Sequence, residues 1–456
     1  MKITLHNFGI IKTFHFDIKD NFSLIFGKNN TGKSYAISAI YLIIKNFLKM
    51  KMDILLFRYI FSDGDIVKKI DEIFKKCEKE LLIKGDIEEI LKQILTNIFI
   101  KELEESFQNS FDSIENLNNK LSNKPLKIEI KTELLDFEIA IKEKHFYISH
   151  LIINKEKIIL KKSKRNLKPK DKNSILTIYI TDNYENIFNF ILELIQSLTK
   201  EIKKEIKNIY YLPASRSGLY QALSAFGQII AELSKNRSFI TKRIELPTIS
   251  EPLSDYFLEL SNIKNKKLID NEIEKIAKNI EKNILNGEIE FDNKTKKILF
   301  KPNNTDLKLD LSYTSSMVSE ISPIVSYLKF IINQPVLRKE FPNSKPLIMI
   351  EEPEAHLHPE IQIKLLEEFI NLTNNGVKFI ITTHSNYIFN KFNNLILAKK
   401  VDISKTKSFL FQLTNQGTEV KNLEIDEFGV EDENFIYTSE KLYNEKMKLV
   451  EKYNNV

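Results

Sequence analysis

Three short stretches carry residues whose types and spacing could do chemistry. The first is GKNNTGKS, Gly27 to Ser34, set between the apolar run FSLIFG and YAISAIYLIIKNFL, whose apolar residues recur at helical spacing. It fits G-x-x-x-x-G-K-[ST] in the strand-to-helix setting that this pattern needs. Successive backbone N–H groups of such a loop form a concave anion site, and the helix N-terminus adds partial positive charge. Gly27, Lys28, Asn29, Asn30, Thr31 and Gly32 would wrap a chain of phosphates. Lys33 would reach the β- and γ-phosphates, and the Ser34 hydroxyl would coordinate Mg²⁺. The chain has only 11 glycines, so two at this spacing before Lys-Ser argue against a chance match.

The second stretch is LIMIEEPEAHLHP, Leu347 to Pro359, where four apolar residues run straight into Glu351 and Glu352. Two adjacent carboxylates at the end of a buried strand repel each other and lose hydration. Many strands simply end in polar loop residues, but a phosphate-loop protein also needs an acid at the end of another strand, beside its Mg²⁺. Glu351 would be that Mg²⁺-side carboxylate, acting through water. Glu352 would be the base that orients or deprotonates the attacking water. The third stretch is VKFIITTHSNYI, an apolar strand at 377–382 followed by Thr383, His384 and Ser385. His384 is either an ordinary loop histidine or a group facing the γ-phosphate or the attacking water. The C-terminal ends of parallel strands are where α/β proteins place ligand groups.

These groups need a scaffold to bring them together, and the rest of the chain predicts one. KITLHNF (2–8), TFHFDI (13–18) and FSLIFG (22–27) read as strands, and IQIKLLEEFINLTNN (361–375) as a helix. Residues 52–122 have the spacing of two or three helices packed on one another. LKIEIK, FEIAIKE, HFYISHLIIN and KIILKK, within 126–160, alternate like a β-meander. GEIEFDNKTKKILFKP reads as a hairpin and VSEISPIVSYLKFII as a helix after it. Lys155 to Lys172 hold nine basic and two acidic residues. Such a run is a solvated loop by default, or a grip on nucleic-acid phosphates. SEKLYNEKMKLVEKY is an amphipathic helix able to dock a partner.

The order of phosphate loop, long middle, acid pair and histidine resembles the ABC-type ATPase heads of SMC, RecF and, more closely, OLD-like proteins. NFG near the start, GKNNTGKS, IEEPEAHLHP and TTHS carry the resemblance, joined by YLPASRSG (211–218). It covers the first 50 residues and roughly 207–400. It implies an α/β fold: an ABC-type P-loop ATPase head, a mixed sheet with flanking helices, plus an inserted helical and β subdomain and a helical signature lobe. The expected division is 1–50, 51–206 (the insertion), 207–345, 346–400 and 401–456. It also implies ATP and Mg²⁺, and hydrolysis to ADP and phosphate.

In such heads a signature motif of one subunit caps the nucleotide of another, in a head-to-tail dimer or higher homo-oligomer. The candidate is LSYTSSMVSEISP, Leu311 to Pro323, with Ser315 and Ser316 presenting hydroxyls; Met317 stands where the family has glycine. The alternative reading is a plain Ser-rich helix N-cap. Arg216 is either a solvated loop arginine or, by resemblance, a contact to nucleotide or to the dimer partner. No glutamine loop stands out, although Gln221 and Gln228 are candidates.

Whole-chain properties narrow the function classes. The 456 residues are 42% hydrophobic and 29% charged, with net charge +6. That charge announces no global nucleic-acid binding. No apolar run reaches the roughly 20 residues of a membrane helix, and no signal-peptide pattern opens the chain. One cysteine, Cys77, leaves no internal disulfide, so a cytoplasmic protein is expected. OLD nucleases carry a metal-dependent nuclease domain after the ATPase; here 72 residues follow His384, without a D-x-D. The expectation is therefore an ATPase without its own nuclease, resembling those of the Septu and PARIS anti-phage systems. Its partner would be a separate effector, a nuclease or toxin, with possible contact to DNA or a phage protein. A RecF- or SMC-like DNA-repair ATPase is the alternative, and a transporter subunit fits less well.

Overall fold

The computed structural model describes residues 1–50, 68, 84–122, 124–154, 157–162, 175–180, 185–222, 249–263, 271–333, 341–431 and 434–454. Expectations for 52–83, for most of the basic run at 155–172 and for Gln228 lie outside these residues. In chain order the strands are β1 (Lys2–Phe8), β2 (Ile11–Asp17), β3 (Phe22–Gly27), β4 (Lys127–Lys131), β5 (Leu135–Lys142), β6 (His145–Ile153), β7 (Lys157–Lys162) and β8 (Ile175–Ile180). They continue with β9 (Ile206–Leu212), β10 (Gly287–Asp292), β11 (Lys297–Pro302), β12 (Leu309–Asp310), β13 (Lys345–Glu351), β14 (Lys378–Thr383), β15 (Thr406–Thr414) and β16 (Gly417–Leu423). The helices used below are α1 (Lys33–Lys49), α2 (Lys84–Leu95), α3 (Lys101–Phe111), α4 (Glu185–Glu205), α5 (Glu251–Ser261), α6 (Glu272–Ile280), α7 (Ser316–Ser326), α8 (Pro359–Asn374), α9 (Asn386–Leu397) and α10 (Ile436–Asn454).

Eleven strands make one mixed sheet in the order β6-β5-β4-β1-β2-β16-β15-β3-β14-β13-β9. From β15 to the β9 edge, the strands β15, β3, β14, β13 and β9 all run parallel. Helices cover both sides of this parallel block, so its strands are apolar on both faces rather than alternating. All six residues of β3 and of β14 are buried. Successive side chains still divide between the faces. Ile25, Met349 and Ile380 join the core under α1 to α4, whereas Leu24, Ile350 and Ile381 join the core under α5 to α9. This is the α/β head with flanking helices that the sequence implies.

Helix α1 explains its unusual composition by its place. It is buried from Ala36 to Phe47 with one gap, at Ser38, and a helix apolar all round belongs inside a large protein. Its two buried polar groups near the end are both satisfied. Lys45 pairs with Glu251 and Asp255 of α5, and Asn46 donates to the Leu42 carbonyl at 2.9 Å and to Ser106 of α3 at 3.1 Å.

Two expectations need correction. The strands at 127–153 do not form a separate inserted subdomain. β4 pairs antiparallel with β1, from Lys2 opposite Lys131 to His6 opposite Lys127, so β4, β5 and β6 extend the head's own sheet. The helices α2, α3 and α4 pack into the same core as α1. The last strand of the expected meander, KIILKK, leaves it: β7 pairs in parallel with β8 in a two-stranded sheet. The hairpin at 287–302 forms as expected, as β10 and β11.

Candidate functional site

The parallel register decides which residues meet. Ile350 lies opposite Ile381 and Leu212, and Thr383 lies opposite Phe26, so β3, β9, β13 and β14 end at one edge. The loop Gly27–Ser34, the acid pair and His384 all leave from that edge. Asn29 to Ser34 of the loop, Glu352 and His384 line one cleft of about 750 Å³, whose other wall is Gly9, Ile10, Tyr35, Asn116 and Asn118 to Leu121.

The phosphate loop depends on backbone that only glycine tolerates well. Gly32 caps α1 at φ 86°, and Gly27 sits at φ 146°. A Cβ on Gly27 would stand 2.3 Å from the Phe411 carbonyl oxygen of β15. Since that neighbour is backbone in the central sheet, it cannot step aside. Gly27→Ala is expected to cost about 2–4 kcal/mol of stability, from strain and collision together. A thermal melt of the variant checks it; a melting temperature equal to that of the parent would contradict the packing described. Lys28, Asn29 and Asn30 are exposed, and Thr31 is buried with its hydroxyl on the Lys28 carbonyl at 2.9 Å. Lys33 is buried and folds back on its own loop, donating to the carbonyls of Gly27 at 3.0 Å and Lys28 at 2.8 Å. Burial pulls its ammonium down to about 8, while Glu352, Glu354 and Glu351 oppose the shift.

Ser34 donates from its hydroxyl to Glu351 at 2.8 Å, and the Tyr211 hydroxyl donates to the other Glu351 oxygen. Burial pushes the Glu351 carboxyl up, the Tyr211 and Ser34 hydrogen bonds pull it back, and the Glu352 charge adds to the rise. Such a carboxylate is short of a cation. Ser34 and Glu351 offer adjoining hard oxygen donors, the type Mg²⁺ takes alongside nucleotide phosphates and water. Among the described residues no cluster of three or more His, Cys, Asp or Glu side chains forms a metal cage of its own. The residues therefore fit a cation shared with a nucleotide.

Glu352 turns out of the strand at φ 42°, its N–H held by the Thr382 carbonyl at 2.9 Å. A positive φ is uncommon for a residue with a Cβ. It points the carboxylate toward the His384 ring, 3.3 Å away. The hydrogen bond with His384 keeps the Glu352 carboxyl below the usual carboxylate range against the effect of burial. The geometry thus brings Lys33, Ser34, Glu351, Glu352 and His384 into one place.

Three residues of the site carry no signal in the sequence reading. Tyr211 lies inside YLPASRSG, yet only the pairing of β9 with β13 puts its hydroxyl on Glu351. Glu354 follows the acid pair by two residues and accepts from the Thr383 hydroxyl at 2.7 Å and the His384 N–H at 2.6 Å. It thereby ties the acid-pair loop to the histidine loop. Glu320 of α7, described below, is the third.

The signature candidate and Arg216 lie elsewhere. Ser315 and Ser316 are exposed at the start of α7, and Ser315 caps it by accepting from Val318 N–H at 3.4 Å. The N-cap is real, and the same exposure leaves the helix end free to meet another surface. Met317 is partly buried against the core and does not block that end. Arg216 requires a correction. It is fully buried, with its guanidinium bound to carbonyls and to Glu320, so it neither meets solvent nor opens toward the nucleotide cleft. Gln221 is exposed and outside the cleft lining.

Comparison with known proteins places residues 1–389 in register with the family model described as AAA_15, AAA ATPase domain. No curated protein matches. Among solved structures, the SMC head domain from Thermotoga maritima is 11% identical with a TM-score of 0.36, over 93% of this chain and 98% of that one. The Smc head domain with an extended coiled coil bound to the C-terminal domain of ScpA, derived from Pyrococcus furiosus, is 11% identical with a TM-score of 0.37, over 98% of each chain.

Proposed function

The chain belongs to the AAA ATPase domain family, and we propose that it hydrolyses ATP to control a separate effector in bacterial anti-phage defence. The observation that carries the ATPase reading is the meeting of Lys33, Ser34 and the Glu352–His384 pair in one cleft, with Glu351 hydrogen-bonded to Ser34. Loop N–H groups and Lys33 bind the β- and γ-phosphates. Ser34 and Glu351 would hold Mg²⁺, which would supply charge neutralisation on the phosphates. Glu352 takes the proton of the attacking water, with His384 orienting that water or the γ-phosphate.

The defence reading rests on the form of EEPEAHLHP and TTHS and on what the surface offers. ATP assembles heads head-to-tail, with Ser315 and Ser316 of one head facing the nucleotide of the next. The assembly holds or releases a nuclease or toxin. Helix α10 supports this, since Leu442, Tyr443, Leu449 and Tyr453 stand exposed along it, a surface suited to docking the effector. No described helix is long and apolar enough to cross a membrane.

The test is purification of Glu352→Gln, expressed with its neighbouring genes and held in Mg-ATP, with mass spectrometry of what accompanies it. The expected result is a stoichiometric nuclease or toxin-like chain bound to an oligomer of heads. A protein that arrives alone, or with DNA and repair factors, would replace this reading with a RecF- or SMC-like repair ATPase.

A further inference from the structure

Arg216 is the largest fully buried side chain among the described residues, and its partner Glu320 is equally inaccessible; each is 0% exposed. Taking two charges out of water is costly, and such pairs are weak devices for stability alone. What this pair does possess is reach. Arg216 Nη1 donates to the carbonyls of Pro213 and Glu351, both at 2.9 Å, and Nη2 donates to the Glu352 carbonyl at 3.4 Å. Nε donates to the Glu320 carbonyl at 3.2 Å, and Nη2 lies 3.3 Å from the Glu320 carboxylate. That carboxylate also accepts from the Arg216 N–H at 3.1 Å and from the Ser217 hydroxyl at 2.6 Å. The pair is therefore saturated, and it binds three separate segments: the turn after β9, the end of β13 and helix α7.

The fork closes on the peptide carbonyls of the two acids that the hydrolysis reading needs. Glu352 is held from both sides, by the Thr382 carbonyl on its N–H and by Arg216 on its own carbonyl. Its φ of 42° persists because these contacts over-determine it. The Ala355 N–H also closes the turn on the Glu352 carbonyl at 3.0 Å, but only Arg216 ties that carbonyl and the Glu351 carbonyl to the turn after β9 and to α7. On the other side, Glu320 sits one helical turn into α7, the helix that begins at Ser316.

We propose that Arg216 is the positioning residue of the acid pair, and that Glu320 makes the seat of α7 part of that positioning. The inference rests on the ATPase reading above. A lysine keeps the charge beside Glu320 but has no planar fork with which to reach four carbonyls. Arg216→Lys is therefore expected to bind Mg-ATP within about threefold of the parent and to lose about 100-fold in kcat. Placed on Glu352→Gln, it should add almost nothing, because residues acting as one unit are not additive. A merely structural role would instead multiply the two losses and lower ATP affinity along with the melting temperature.

Arg216→Lys with parental kcat would overturn the inference, as would losses that multiply. Should Arg216→Lys fail to fold, Glu320→Gln keeps the shape while removing the charge that holds the fork and one of the two acceptor oxygens. It is expected to lose about tenfold in kcat at unchanged ATP affinity, and parental kcat there would overturn the inference equally. A parent protein that binds ATP without hydrolysing it would sink this inference together with the ATPase reading, whereas a hydrolysing parent matched by Arg216→Lys sinks this inference alone.

Discussion

Glu352→Gln is expected to bind Mg-ATP as the parent does and to hydrolyse it about 10³-fold more slowly, within the 10²–10⁴ that a positioned general base contributes. Glutamine preserves the shape and the hydrogen bond to the His384 ring, 3.3 Å away, but it cannot take a proton. The side chain is 40% exposed and lines the cleft, so the change opens no cavity and costs little stability. The acid limb of the parent's rate has a definite sign. The Glu352 carboxyl is held below the usual carboxylate range, first by its hydrogen bond with His384, so it stays ionised as the pH falls toward that range. Hydrolysis should therefore survive mild acid and decline only as the pH drops through the lowered value. Phosphate release and equilibrium nucleotide binding, measured on the same samples, decide the matter. Turnover within threefold of the parent would put the base on another residue.

The parts of this site that were legible in the sequence are those whose signal is local. The phosphate loop is eight consecutive residues between a strand and a helix, and LIMI and FIIT announce their strands by unbroken burial. Because parallel strands buried on both faces read as apolar runs, their C-terminal ends and the polar residues there could be placed without knowing the register. The unreadable parts are long-range pairings of residues that look ordinary alone. Arg216 meets Glu320 across 104 positions, and Tyr211 meets Glu351 across 140. An arginine in a Ser-rich loop and a glutamate inside a helix give no local sign of being buried together. The same holds for the sheet: β1 and β4 pair across α1 to α3, a pairing that no local pattern announces. Met317 departs from the family's glycine, yet the helix end above it stays open, because its side chain turns into the core rather than outward.

Lys33→Ala should reduce ATP affinity by at least about 100-fold, and the free protein itself explains why the loss is specific. The ammonium is buried, donates to the Gly27 and Lys28 carbonyls, and is pulled down to about 8, chiefly by burial. A lysine with a folded value below its ordinary one makes the charged form costly in the fold. At pH 7 the fold therefore carries a desolvated cation whose burial Glu352, Glu354 and Glu351 offset only in part. Two consequences follow in opposite directions. Removing the side chain takes away that cost, so the melting temperature of ligand-free Lys33→Ala should hold or rise near neutral pH, which separates lost binding from lost structure. Bringing phosphates beside the ammonium favours its protonated form, so ATP binding to the parent should take up a proton near pH 8, and affinity should fall as the pH climbs above about 8. Calorimetry of ATP binding in buffers of differing ionisation enthalpy reads that proton directly, and the alanine variant at high nucleotide concentration should show none attributable to this site. Retained micromolar affinity in Lys33→Ala would mean that the loop amides alone hold the phosphates, and that the buried ammonium serves the loop's own carbonyls instead.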